Sequence, residues 1–325
     1  MKAFYCDHFT LPLPASHRFP MAKYRALRER LVDERVIDPA DLLVPEPAPW
    51  ATLELVHHAA YVRAVATGTL PAEAQRRIGF PWSPEMVERS RRSVGATIAA
   101  SEVALGEGVA ANLAGGTHHA FADRGEGYCV FNDVAVAARA LLERRAVERV
   151  LVVDLDVHQG NGTAAIFARE PRVFTMSLHG ACNFPFRKER SDLDVALPDG
   201  TTDDEYLAAL EPALASALAA HRPDFAFYLA GADPYEGDRL GRLQLTIDGL
   251  MRRDRTVFDA CTARRVPVAL SMGGGYAPAI DDIVTIHANT VRLAAGTHHR
   301  WIDSRSSAHG RGLPAASSAT TTDAR

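Results

Sequence analysis

From residue 150 onward, short apolar runs alternate with longer amphipathic ones, and this alternation restricts the chain to few architectures. Strand-like runs occupy Val150–Val157, Arg172–Leu178, Phe225–Ala230 and Val266–Met272. Helical patterns fill Gly162–Arg169, Asp203–His221 and Thr246–Arg264, and a last helix fits Ala279–Ala295. Strands alternating with helices build βαβ units and a parallel sheet. The runs are apolar throughout, whereas a strand with one wet face would alternate. The expected fold is therefore α/β, with a mostly parallel central sheet and helices on both faces.

The N-terminal half is more helical. Ser83-Pro84 supplies an N-cap and a first-turn proline for a helix reaching about Leu105. A short strand fits Val109–Ala114 and a further helix Asp133–Arg145. No internal repeat or composition break precedes residue 300, so 1–302 reads as one domain. Residues 303–325 are mostly Ser, Ala, Thr and Gly, and bury too little apolar surface to offset chain entropy; a disordered tail is expected.

Composition excludes several classes. Net charge is −4, so no global basic field draws the chain to nucleic acid or an anionic membrane. The 4 cysteines form no CxxC pair, which argues against a zinc ribbon or disulfide framework and for reduced thiols. The first residues lack a signal-peptide core, and no apolar run approaches a membrane span. By elimination a cytoplasmic location is expected.

Ligands of parallel α/β sheets bind beyond the carboxyl ends of the strands. Val150–Val157 leads into Asp154, Asp156 and His158, which alternation would place on one face. Two desolvated carboxylates need a cation or hydrogen bonds, and oxygen plus imidazole ligands suit a divalent metal. Other strand ends lead to Ser177-Leu178-His179, Gly231-Ala232-Asp233 and Gly273-Gly274-Gly275-Tyr276, and the upstream strand to Gly115-Gly116-Thr117-His118-His119. Glycine lets backbone approach a ligand closely. One glycine at a strand end would be an ordinary terminator, but four glycine-bearing ends (with Gly160 and Gly162 after His158) that each place a reactive side chain point to a site. Of the other tandem histidines, His57-His58 lies in a helical-looking region. His298-His299 adjoins the polar tail and is expected to be solvated.

These segments resemble the histone deacetylase superfamily. Asp154-Leu-Asp156-Val-His158-Gln-Gly-Asn161-Gly is similar to its zinc signature, and Gly-Gly-Thr-His118-His119 to its paired-histidine motif. Gly125-Glu-Gly127-Tyr128-Cys129, Gly231-Ala-Asp233-Pro-Tyr-Glu-Gly237-Asp238 and Gly273-Gly-Gly275-Tyr276 complete the set in the family's order. His17-Arg18-Phe19-Pro20-Met21 and His158-Gln159-Gly160-Asn161-Gly162 look most like the class IV-like bacterial branch.

The resemblance implies a three-layer arginase/deacetylase-like fold and a zinc-dependent amidohydrolase acting on acylated lysine in a peptide or protein. Asp156, His158 and Asp233 would hold one zinc, which polarises the amide carbonyl and lowers the pKa of water. His119 would be general base then acid, His118 an electrostatic aid, and Tyr276 the oxyanion donor. Asp154 would support His118. Asn161 would face His119, where the class I branch has an acid. A structural potassium near Asp154, Asp156, His158, Ser177 and Leu178 is also implied. Gly127, Tyr128 and Phe184 would wall the acyl-lysine tunnel.

Acetylpolyamine or another small acetylated amine fits the same chemistry. A dinuclear manganese ureohydrolase would need extra bridging carboxylates, and only Asp233 follows Phe225–Ala230 closely. A non-catalytic acyl-lysine binder has no use for metal, base and oxyanion donor together.

Overall fold

The computed structural model describes residues 1–14 and 17–309, with side chains to residue 305. Eight strands form one sheet: β1 (Ala3–Phe4), β2 (Leu42–Leu43), β3 (Val109–Asn112), β4 (Val150–Asp154), β5 (Val173–Gly180), β6 (Leu193–Leu197), β7 (Phe225–Leu229) and β8 (Val268–Ser271). Their order is β2-β1-β3-β8-β7-β4-β5-β6, and every pairing is parallel. The carboxyl ends of β3, β8, β7 and β4 are therefore neighbours at the middle of the sheet.

Alternate residues of the central strands feed two cores, which makes the molecule a three-layer α/β sandwich. Leu151, Val153, Ala226 and Tyr228 pack with Tyr206, Leu210 and Leu214 of helix Asp203–His221 and with Val257 and Phe258 of helix Ile247–Ala263. On the other face, Val150, Val152, Phe225 and Phe227 pack against Ala96, Ala100 and Ala104 of helix Pro84–Glu107 and Val134, Ala138 and Leu141 of helix Asp133–Glu143. Small residues on the Pro84–Glu107 helix let it approach the strands closely.

Capping follows the sequence. Ser83 Oγ accepts from Met86 N at 3.1 Å, with Pro84 as first helical residue. Asn132 Oδ1 accepts from Ala135 N at 3.0 Å. Thr202 and Glu205 form a capping box.

The chain end differs from expectation. The final helix runs Ile280–His309, so regular structure does not stop at residue 302. Arg305 donates to the Gly106 carbonyl at 2.6 Å, and the Trp301 ring lies where a Cβ on Gly108 would fall. These contacts anchor turns whose composition alone predicts none. The rest of the expected disordered tail lies outside the described residues. His298 is also not solvated: it is buried, and its ring nitrogen contacts the Glu107 carbonyl at 3.0 Å. Among the described residues, no helix is long and apolar enough to cross a membrane.

Candidate metal centre and catalytic pocket

β4 stops at Asp154, so Asp156 and His158 stand on the loop that follows it. The alternation argument therefore fails for this trio, and the loop divides its members. Asp154 Oδ2 turns to His118 Nδ1 at 2.7 Å. Asp156 and His158 turn instead toward Asp233, which the loop after β7 delivers.

The three form a buried group whose ligand atoms all lie within 4.8 Å of one another. His158 Nδ1 is 2.9 Å from Asp156 Oδ1 and 3.2 Å from Asp233 Oδ2. One ring N–H serves a single acceptor well, and Asp233 Oδ2 is left buried without a hydrogen-bond partner. The other carboxylate oxygens are fixed by backbone: Val157 N donates to Asp233 Oδ1 at 2.9 Å, and Gly274 N to Asp156 Oδ2 at 2.7 Å. Burial, then the charge of Asp156, pushes the Asp233 carboxyl up from its ordinary value. Two buried carboxylates and an imidazole converging on an orphaned oxygen fit a divalent cation.

Gly274 is required by close approach. A Cβ there would fall 1.8 Å from Asp233 Oδ2. The backbone of the loop after β8 is thus packed directly on the carboxylate.

The tandem histidines are driven apart in charge. Burial alone would lower His118, but the Asp154 and Asp156 carboxylates outweigh it and hold it at about 9, so its ring is cationic. Burial, then the positive charges of His118 and His158, lowers His119 well below its usual value. His119 Nδ1 meets Asn161 Oδ1 at 2.7 Å, and Asn161 Nδ2 donates to Glu126 Oε1 at 2.7 Å. The Glu126 carboxylate can only accept, which fixes the direction of the Asn161 amide. The amide oxygen can only accept too, so His119 carries its proton on Nδ1 and leaves Nε2 as the acceptor.

Above this floor opens a pocket of about 560 Å³ lined by His119, His158, Gly127, Tyr128, Phe184 and Tyr276 among others. The Phe184 ring stands edge-on to His119, with centroids 4.9 Å apart. Tyr128 forms the facing wall with φ of 65°, an uncommon conformation for an aromatic residue. Gly127 before it has φ of 57°, and a Cβ there would meet His119 Cδ2 at 2.6 Å. Phe186, by contrast, is 87% exposed. Tyr276 lies with its ring centroid 6.5 Å from that of His158. Burial, then the Asp233 and Asp156 charges, pushes its phenol well above the ordinary value and keeps it a donor. Ser177 is the register partner of Asp154 across β4 and β5, and Leu178 follows it in the buried interior.

Three residues have supporting roles that the sequence did not assign. Glu126 orients Asn161. Asp238 Oδ2 accepts from Tyr276 N at 2.6 Å and so fixes the base of the phenol. Arg253, fully buried, donates to the Leu155 carbonyl at 3.2 Å and the Gly231 carbonyl at 2.7 Å, gripping both loops that carry the candidate ligands. The signal for Arg253 is that Arg253 and Asp254 stand at stripe positions between Leu250 and Val257, where a helix ordinarily carries core residues.

Comparison with known proteins decides the family. The histone deacetylase domain model matches residues 17–291. The chain belongs to the histone deacetylase family. It is 49% identical over 290 residues to an uncharacterized protein of Picosynechococcus, covering 89% of this chain and 97% of that one. It is 32% identical to the acetoin utilization protein AcuC of Bacillus subtilis, covering 80% and 73% of the two chains. Histone deacetylase 2 of Arabidopsis thaliana is 31% identical, covering 80% and 70%. Among solved structures, an HDAC homologue complexed with SAHA superposes with a TM-score of 0.78 at 26% identity, covering 91% of this chain and 84% of that one. The histone deacetylase fold is thus shared.

Proposed function

We propose that this histone deacetylase family protein hydrolyses the amide bond of an acylated lysine, releasing the acyl group as a carboxylate. The observation that carries the reading is the convergence of Asp156, His158 and Asp233 on one point beneath a pocket that also receives His119 and Tyr276. Those three side chains would hold one divalent ion, with zinc the expected metal, and the ion would supply Lewis-acid polarisation of the amide carbonyl.

The chain's own groups account for the proton movements. His119, neutral with Nε2 free, takes the proton of the attacking water and returns it to the departing amine nitrogen. The cationic His118 beside it, at 4.1 Å between ring centroids, contributes positive potential as negative charge develops. The Tyr276 phenol, kept protonated, donates to the oxyanion. Phe184 and Tyr128 flank the acyl-lysine stem with apolar surface and exclude water from the reacting carbonyl.

The test is a panel of acyl-lysine peptides and acetylated polyamines incubated with the zinc-loaded chain, with free amine and free carboxylate both quantified. Equimolar release of the two from an acyl-lysine peptide supports the reading. No release from any member refutes it. Tyr276→Phe is expected to keep the metal and lose rate.

A further inference from the structure

We propose that the mouth of the pocket selects acyl-lysine in an acidic stretch of peptide and disfavours cationic substrates such as acetylated polyamines. The inference rests on the hydrolytic reading above and names the substrate class of the same site.

The lining of the pocket contains four arginines, Arg76, Arg77, Arg239 and Arg242, against a single carboxylate, Glu126. An adjoining recess of about 290 Å³, sharing Arg239, Leu240 and Tyr276 with the pocket, adds Arg18. This concentration is local, since the whole chain carries a net charge of −4. It is not neutralised from below. Glu126 is taken by the Asn161 amide at 2.7 Å. The Asp238 carboxylate accepts from the backbone of Leu240, Gly241 and Tyr276.

The arginines themselves are largely uncommitted. Among the described residues, Arg18, Arg76 and Arg239 have no carboxylate partner. Arg77 pairs with Glu73 and Arg242 with Asp199, each at 3.1 Å and each exposed, which screens the pairing to a small value. A plainer cause exists for two of them: Arg76 and Arg77 occupy the last turn of helix Ala72–Ile78, where cations favour the helix dipole. That cause does not reach Arg18, Arg239 or Arg242, which come from loops on the other elements of the rim.

Guanidinium groups recognise carboxylates through paired, planar donors. A peptide lying across the mouth, with its acylated lysine inserted, brings its flanking side chains within a Debye length of this rim. Asp and Glu there are attracted, Arg and Lys repelled. An acetylated polyamine leaves its remaining ammonium groups at the same place and is repelled likewise.

The experiment uses the zinc-loaded full chain and three acetyl-lysine peptides that differ only in their flanks: acidic, neutral or arginine-rich. Affinity by fluorescence anisotropy and kcat/KM are measured separately, at low and high salt, with acetylspermidine as a further substrate. The acidic peptide is expected to bind about tenfold more tightly than the arginine-rich one at low salt, with the gap shrinking at high salt. The double variant Arg76→Glu, Arg239→Glu is expected to reverse the order. Equal affinities, tighter binding of the basic peptide, preferred turnover of acetylspermidine, or an unchanged order in the double variant overturns the inference. Hydrolysis without charge discrimination sinks this inference and leaves the hydrolytic reading standing. Charge discrimination in binding with no hydrolysis does the reverse.

Discussion

Arg253 is the sharpest structural test of how the loops carrying the candidate metal ligands are held. Its guanidinium is completely buried in helix Ile247–Ala263. Nε donates to Asp254 Oδ1 at 2.9 Å, and one terminal nitrogen donates to the carbonyls of Leu155 and Gly231. Leu155 precedes Asp156 directly, and Gly231 lies two residues before Asp233. Arg253→Met keeps most of the volume but strips donors from two buried carbonyls and leaves Asp254 with only Tyr228 and Thr290. Breaking one side of a buried ion pair costs about 3–5 kcal/mol, and the orphaned carbonyls lie within that range rather than beyond it. At roughly 2 °C per kcal/mol for a chain of this size, the melting temperature should fall by about 6–10 °C. Zinc affinity, read by competition with a chromogenic chelator, should weaken about tenfold or more, as it does when groups that orient metal ligands are lost. Arg253→Lys should sit between, because one ammonium cannot span both carbonyls and the carboxylate. A methionine variant that melts within about 2 °C of the parent and binds zinc equally would refute the reasoning.

Other consequences are open to the same kind of check. Glu126→Ala frees the Asn161 amide to turn; kcat on an acyl-lysine peptide should fall about tenfold with zinc content unchanged, while Glu126→Gln, able to offer an amide oxygen, should lose less. Equal losses in the two variants would count against the orienting role. Gly274→Ala puts a methyl group on Asp233 Oδ2, so zinc stoichiometry should drop, and wild-type affinity would contradict the close packing. His57 is buried between the Phe121 carbonyl and Asn132 N, and burial lowers it from 6.5 to about 4. The folded state therefore binds fewer protons than the unfolded state in that window. Its contribution is whole above pH 6.5 and is lost as pH falls toward about 4, reaching roughly 3 kcal/mol. Urea midpoints of the parent should fall more steeply across that range than those of His57→Gln, and parallel curves would exclude it.

Much of the fold was legible because the central strands are apolar on both faces, and helices cover both. Val150, Val152, Leu151 and Val153 serve two cores, which is what an unbroken apolar run encodes. The candidate ligands were legible as polar residues at strand ends, although the strand face first assigned to Asp156 and His158 is a loop. Charge state was not legible. That His118 is cationic and His119 neutral depends on Asp154, Asp156 and Asn161 meeting them across the fold. The roles of Glu126, Asp238 and Arg253 were hidden for the same reason: each acts on a segment distant in sequence, and a charged residue in a helix or loop ordinarily faces solvent. The final turns of the last helix escaped because they are held by Gly106 and Gly108 rather than by their own composition.

The most direct measurement titrates the metal-free chain with zinc while hydrolysis of an acetyl-lysine peptide is followed. The rate should rise linearly to one equivalent and stop there. Asp233→Asn should abolish both tight zinc binding and hydrolysis, and His119→Ala should keep the zinc and lose about 10²–10⁴-fold in rate. A requirement for a second tightly bound ion, or full activity in His119→Ala, would contradict a single-metal amidohydrolase built on Asp156, His158 and Asp233.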